Sequence, residues 1–270
     1  MKVSIINRKG SGNTNEDFFC ANNNTFGVFD GAASLNKFLD KESNSGGFLA
    51  SHKVAETFML SNKDLVETVE AANMSLRESM LSKNVDISRG VNRWSTTLSV
   101  VRINENNFDW VNVGDSVIIS INRDGSHKVV SPYHNHDVEV LKLVKSLSGQ
   151  KIDNLWEYEP FIQASTILQN NRNVTYGVLD ASVEALKFID HGTEPLECIK
   201  YILLLTDGCY IPKENPDGSE EFGTIVEIFK KNGPEGLYMY IRKLQHSDKK
   251  LWKYPRFKQS DDFTLISLEF

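Results

Sequence analysis

Three apolar segments of this 270-residue chain end in aspartate beside glycine. They read Gly27-Val-Phe-Asp30-Gly31, Trp110-Val-Asn-Val-Gly114-Asp115-Ser116 and Leu203-Leu-Leu-Thr-Asp207-Gly208. A further acidic pair, Asp261-Asp262, opens the last apolar run, and Glu16-Asp17 precedes the second. An acid at the end of a buried strand projects past the sheet while the strand stays in the core. The neighbouring glycine lets the backbone turn sharply or approach a ligand closely. Carboxylates gathered in this way repel one another, and hard divalent cations with oxygen ligands are the usual offset. A single Asp-Gly is ordinarily a turn, and Asp124-Gly125 and Asp217-Gly218 read as turns. Five acidic stations in separate segments, each at a strand boundary, read instead as a metal centre.

Other signals are weaker. Gly10-Ser-Gly12 lacks the Gly-Lys-Ser/Thr of a phosphate loop and precedes a strand, so it reads as an ordinary loop. His134-Asn-His136 has no third ligand nearby in sequence and reads as a solvated loop. Cys209 follows Asp207 with no basic partner and reads as a packed thiol. Trp94, Trp110, Trp156 and Trp252 read as packing residues.

The elements that must position the acids follow from periodicity. Val3–Ile6 is a short strand. Asp17–Ala21 and Thr25–Asp30 form a hairpin about Asn22-Asn23-Asn24. Helical spacing places Phe48, Ala50, Val54, Ala55, Phe58 and Met59 on one buried face, and Leu65, Val69, Ala72, Leu76 and Met80 on another. Strands return at Ser95–Ile103 and Phe108–Val113, then at Val117–Ile121 and His127–Ser131 across the Arg123-Asp-Gly-Ser turn. Helices are predicted over Asp137–Leu147 and Pro160–Asn170, strands over Leu186–Ile189 and Tyr201–Thr206. Two helices follow near Phe222–Lys231 and Pro234–Leu244, and a last strand runs over Phe263–Phe270. Strand blocks and helix pairs are segregated, which argues an α+β fold.

Composition agrees. The chain is 40% hydrophobic and 24% charged, ordinary values for a globular protein, with no repeat or long linker, so residues 1–270 read as a single domain. A net charge of −6 argues against a nucleic-acid partner. No apolar run reaches the ~18–20 residues of a membrane helix, and the N-terminus does not read as a signal peptide. Three scattered cysteines suit reduced thiols in a cytoplasm.

In order along the chain stand Asn15-Glu-Asp-Phe-Phe, Val28-Phe-Asp-Gly, Ser95-Thr-Thr, Asn112-Val-Gly-Asp-Ser, Leu205-Thr-Asp-Gly and Asp261-Asp-Phe-Thr. Each is weak alone, but the ordered set resembles the PP2C-type (PPM) metal-dependent protein phosphatases over nearly the whole chain. The resemblance implies an α/β/β/α sandwich of two antiparallel sheets flanked by helix pairs. It implies a Mn²⁺- or Mg²⁺-dependent serine/threonine phosphatase acting on a phosphoprotein, with water bridging two ions as the nucleophile. Asp30 would bridge the ions and the Gly31 carbonyl would bind one of them. Asp207 and Asp261 would hold the first ion, Glu16 would reach the second, and Asp17 would orient water. Asp115, with Asp207, would match a looser third ion. The expected molecule is a cytoplasmic monomer with no membrane partner.

Three positions depart from the family pattern. Ala32-Ala33-Ser34 stands where a glycine-rich stretch ending in histidine is usual. Gly12 stands where an arginine is frequent, and Val117 follows Gly-Asp-Ser where arginine is frequent. With Gly12 unable to bind phosphate, Arg8, just upstream, is the candidate anchor. The altered contacts also leave a second reading open: a pseudophosphatase that keeps the fold and acts as a regulatory binding module. A haloacid-dehalogenase-like hydrolase with Asp30 as nucleophile is excluded, because that chemistry needs an acid where Ala32 stands.

Overall fold

Alternating apolar residues build two five-stranded sheets that are antiparallel throughout. The computed structural model describes residues 1–32, 38–133, 135–150 and 154–270; Ala33, Ser34 and His134 lie outside them. One sheet has the order β1 (Lys2–Arg8), β10 (Phe263–Glu269), β9 (Ile199–Leu205), β6 (Val117–Asn122), β7 (His127–Val129). The other runs β2 (Phe18–Asn22), β3 (Thr25–Ala32), β4 (Ser95–Ile103), β5 (Asn107–Val113), β8 (Asp190–Pro195). The helices are α1 (Gly46–Leu60), α2 (Leu65–Ser82), α3 (Val138–Ser146), α4 (Glu159–Asn170) and α5 (Phe222–Ser247).

Period-two alternation stacks the layers. Phe26, Val28, Val101 and Phe108 of one sheet meet Ile118, Ile202, Leu204, Ile266 and Leu268 of the other in a cluster between the sheets. The intervening strand positions face outward. Phe29, Leu98, Val100 and Val113 pack beneath α1 and α2. Ile119, Leu203, Leu205 and Leu265 pack beneath α5, against Ile225, Phe229, Leu237 and Ile241. Each such side chain removed from water contributes roughly 1.5–3 kcal/mol, so the central strands are held from both faces. The result is the expected α/β/β/α sandwich.

Local signals account for the boundaries. The Ser45 hydroxyl accepts from Phe48 N at 3.2 Å and starts α1, and Asp64 accepts from Glu67 N at 2.9 Å and starts α2. The helix α5 breaks at Gly233, with φ 69°, ahead of Pro234, where two helices were expected. One expected strand is absent. Leu186–Ile189 lies mostly in a 3₁₀ turn (Glu184–Phe188), and the strand begins beyond it at β8. The β8 sequence Asp-His-Gly-Thr-Glu-Pro carries no apolar alternation. It pairs with β5 through its backbone as an edge strand, which leaves its side chains polar.

Between β7 and β8 the chain leaves the sandwich. The helices α3 and α4 build a separate small cluster from Val140, Val144 and Phe161, with Phe257 packed against it. This helical cap lies over the sheet end that carries the acids. Among the described residues no helix is long and apolar enough to cross a membrane.

Candidate metal centre

The acidic stations come from both sheets. Asp30 lies near the end of β3, opposite Thr97 of β4. Asp115 stands in the β5–β6 connection, which passes from one sheet to the other. Asp207 follows β9 after Thr206, Asp261 precedes β10, and Glu16 precedes β2. Glu16, Asp30, Gly31, Asp115, Asp207 and Asp261 line one cavity of about 200 Å³. Strands far apart in sequence thus deliver five carboxylates and a glycine to one place. The cap closes the cavity from the other side with His136, Asp137, Trp156, Gln169, Arg172 and Tyr176.

Hydrogen bonds fix the stations. The buried Asp262 accepts from Gly10 N at 2.7 Å and from Glu16 N at 2.8 Å, tying the loop before β2 to the start of β10. The Glu16 carboxylate accepts from the Ser45 hydroxyl, and the Glu16 carbonyl from the Ser51 hydroxyl at 2.6 Å. The Asp115 loop is held by Asn112 Nδ2 donating to the Ser116 carbonyl at 2.6 Å and by Tyr210 donating to the Asp115 carbonyl. Asp17 is buried behind the cavity, where its Oδ2 accepts from Thr206 Oγ1 at 2.7 Å.

Burial pushes Asp30 and Asp207 well above the usual carboxylate range. The charges of Asp17, Asp261 and Asp115 add to this at Asp30, and those of Asp30, Asp261 and Asp115 at Asp207. The Asp30 and Asp207 carboxyls are close enough to share a hydrogen bond. Asp17 is raised by burial against the Thr206 bond, then by Asp262, Asp207 and Asp261. Glu16 is raised by burial, in part offset by Ser45 and Lys258. Such a cluster binds either protons or cations, and its all-oxygen donors suit hard divalent ions. The residues present therefore fit hard divalent cations.

Sequence reasoning missed two groups here. Lys258 reaches Asp261 Oδ1 at 2.6 Å. Burial draws its ammonium down in pKa, but Asp261, Asp262 and Asp207 carry it upward overall. His136 is not in a solvated loop. Its Nε2 lies 3.6 Å from both Asp115 and Asp137, and its ring stacks on Tyr176 at 4.0 Å. Asp115, His136 and Asp137 together could hold an ion. Asp137 is raised to about 6 by burial, with His136 opposing and Asp115 adding. The adjacent His136-Asp137 pair was the available signal; Lys258 had none.

Arg8 is not brought to the centre. Its guanidinium pairs with Glu235 of α5 at 3.4 Å, and both side chains are more than half exposed. The Gly10–Gly12 loop does not fold Arg8 back, because Gly10 N and Ser11 N are bonded to Asp262 and Ser260. Cys209 is buried, as expected of a packed thiol, with Sγ 3.2 Å from the Thr264 carbonyl.

A family model described as protein phosphatase 2C matches residues 8–242. Among solved structures, the Mycobacterium tuberculosis serine/threonine phosphatase PstP/Ppp superposes with a TM-score of 0.60 at 18% identity, covering 100% of this chain and 98% of that one. The serine/threonine phosphatase Stp1 from Staphylococcus aureus gives 0.59 at 17%, covering 100% and 94%. The catalytic domain of the serine/threonine protein phosphatase PstP in complex with two manganese ions gives 0.58 at 16%, covering 99% and 97%. Comparison with curated proteins returns no match.

Proposed function

The chain belongs to the protein phosphatase 2C family, and from that premise we propose that it is a Mn²⁺- or Mg²⁺-dependent phosphoserine/phosphothreonine protein phosphatase. The observation that carries this reading is the convergence of Glu16, Asp30, Asp115, Asp207 and Asp261 from both sheets on one cavity.

When bound, divalent cations lower the pKa of a water molecule to near neutrality and offset charge on the phosphoryl oxygens. Asp30, Asp207 and Asp261 are the residues to hold the first ion. Asp30, Glu16 and the Gly31 carbonyl are those to hold the second. Asp115, with His136 and Asp137 beside it, is the looser third position. Asp17, fixed by Thr206 behind the cavity, would orient water. Asp262 holds the Glu16 backbone in place, and the cap covers the cavity opposite the sheets. The whole chain acts as one catalytic unit, a cytoplasmic monomer that takes a phosphoprotein and neither nucleic acid nor membrane.

The test is hydrolysis of a phosphoserine peptide by the full chain with Mn²⁺, with chelator, and by the Asp207→Asn variant. Turnover should require the ion and should fall by at least about a hundredfold in the variant, equivalent to ~2.7 kcal/mol. Equal turnover in chelator would remove the metal from the mechanism. No turnover under any condition would return the chain to the reading as a binding module.

A further inference from the structure

We infer that Arg172, just beyond the C-terminal end of α4, is the residue that anchors the substrate phosphate over the carboxylate cavity. The inference rests on the phosphatase reading above and names the group that reading lacks. A phosphate dianion presents coplanar oxygens that a guanidinium grips with two parallel N–H bonds. Gly12 has no side chain to offer. Arg8 is spent on Glu235 outside the cavity. Lys258 lines the cavity but is committed to Asp261 at 2.6 Å. Among the described lining residues the remaining permanent cation is Arg172.

Two observations single it out. Its Nη1 is buried and has no hydrogen-bond partner among the described residues. A buried guanidinium nitrogen without an acceptor is unfavourable, so such a donor marks a place where an acceptor is expected to arrive. Its base is also fixed. Arg172 N donates to the Gln169 carbonyl at 3.3 Å, and the backbone bridges to Tyr176. The Tyr176 hydroxyl donates to the Leu168 carbonyl at 3.0 Å, while its ring stacks on His136 beside Asp115. The guanidinium is therefore carried by the same part of the cap that faces the acids. Its charge reaches Asp137, on which it acts to lower the pKa.

Two competing acceptors are present: the Tyr176 hydroxyl, which is hydrogen-bonded to the Arg172 side chain but leaves Nη1 free, and Gln169. Gln169 Oε1 lines the same cavity and is likewise buried without a partner. A purely structural Arg172 would pair with it.

The experiment uses the Mn²⁺-loaded full chain with phosphoserine peptide as substrate and inorganic phosphate as the binding probe. Arg172→Ala should raise KM about tenfold, or ~1.4 kcal/mol, with a smaller change in kcat. Calorimetric phosphate affinity should weaken by a similar factor, while Mn²⁺ affinity stays unchanged. Arg172→Lys, which keeps the charge but loses the fork, should recover part of both and covers the case that alanine disturbs folding. Unchanged KM and phosphate affinity would overturn the assignment, and a lowered Tm with unchanged KM would assign Arg172 to Gln169 instead. If the wild type does not turn over, the phosphatase reading fails, but the phosphate titration still decides the anchor. Absent or equal phosphate binding in wild type and Arg172→Ala would overturn it.

Discussion

Asp30, Asp207 and Asp17 hold their protons above the usual carboxylate range because burial and one another's charge penalise the ionised form. A carboxyl raised in the folded state favours folding fully below its unfolded pKa of about 3.9. That contribution is lost as pH rises through the folded value. Asp137, raised to about 6, loses its share between about pH 4 and pH 6, and the deeper acids lose theirs in the same direction. His52, lowered by burial, works in the opposite sense: its contribution is lost as pH falls below the ordinary imidazole range. Asp40, lowered to about 2 by backbone hydrogen bonds, has its full effect by about pH 5 and adds no slope above it. With Glu16, also raised by burial, five raised carboxyls outweigh one imidazole. The chelated protein should therefore lose Tm as pH rises from about 4 through 6, the window Asp137 sets, and Asp30→Asn should flatten that slope. Differential scanning calorimetry across this range tests the balance; a Tm that rises with pH would refute it. Mn²⁺ should remove the dependence by replacing the protons.

At the level of elements, the centre depends on how closely turns approach each other. The 3₁₀ turn after β9 (Asp207–Cys209) presses against the start of β10, where a Cβ on Gly208 would lie 1.6 Å from the Asp262 carbonyl oxygen. Backbone on both sides leaves nothing flexible to yield. Gly208→Ala should cost about 2–3 kcal/mol by urea denaturation and weaken Mn²⁺ binding, because Asp207 moves with the turn. Wild-type values for both would mean that the turn relaxes freely. The same closeness explains what the sequence made legible. Asp207-Gly208 and Asp30-Gly31 end runs whose apolar residues are buried on both faces, so their strands and ends were readable. The Asn22–Thr25 and Asp124-Gly125 hairpins carry their own turn chemistry. β8 was missed because an edge strand can be polar. His136, Lys258 and Arg172 were missed because no local pattern records which cap residue the chain returns to the cavity. Arg8 failed for the converse reason: its nearness in sequence to the Gly10–Gly12 loop said nothing about which way its side chain points.

Across the whole molecule, the carboxylates join two sheets that otherwise meet mainly through apolar side chains, with the Lys128–Glu194 ion pair at 2.6 Å spanning their β7 and β8 edges. On the proposed reading, an ion held by Asp30 of one sheet and by Asp207 and Asp261 beside strands of the other would cross-link them. At a free Mn²⁺ concentration a hundred times Kd, stability should rise by about 2.7 kcal/mol. For a chain of this length that is a Tm gain of roughly 5–10 °C, reversed by chelator. A Tm indifferent to Mn²⁺ would mean that the ions are not held between the sheets. The cap stands outside this arrangement. It leaves the frame after β7 and returns at β8, each the outermost strand of its own sheet, and carries its own apolar cluster. A segment spliced between two edges can change length and composition without breaking an interior ladder. Selection can therefore rewrite what the protein recognises while the chemistry beneath is inherited intact, and a cap transplanted from a relative should carry its substrate preference with it.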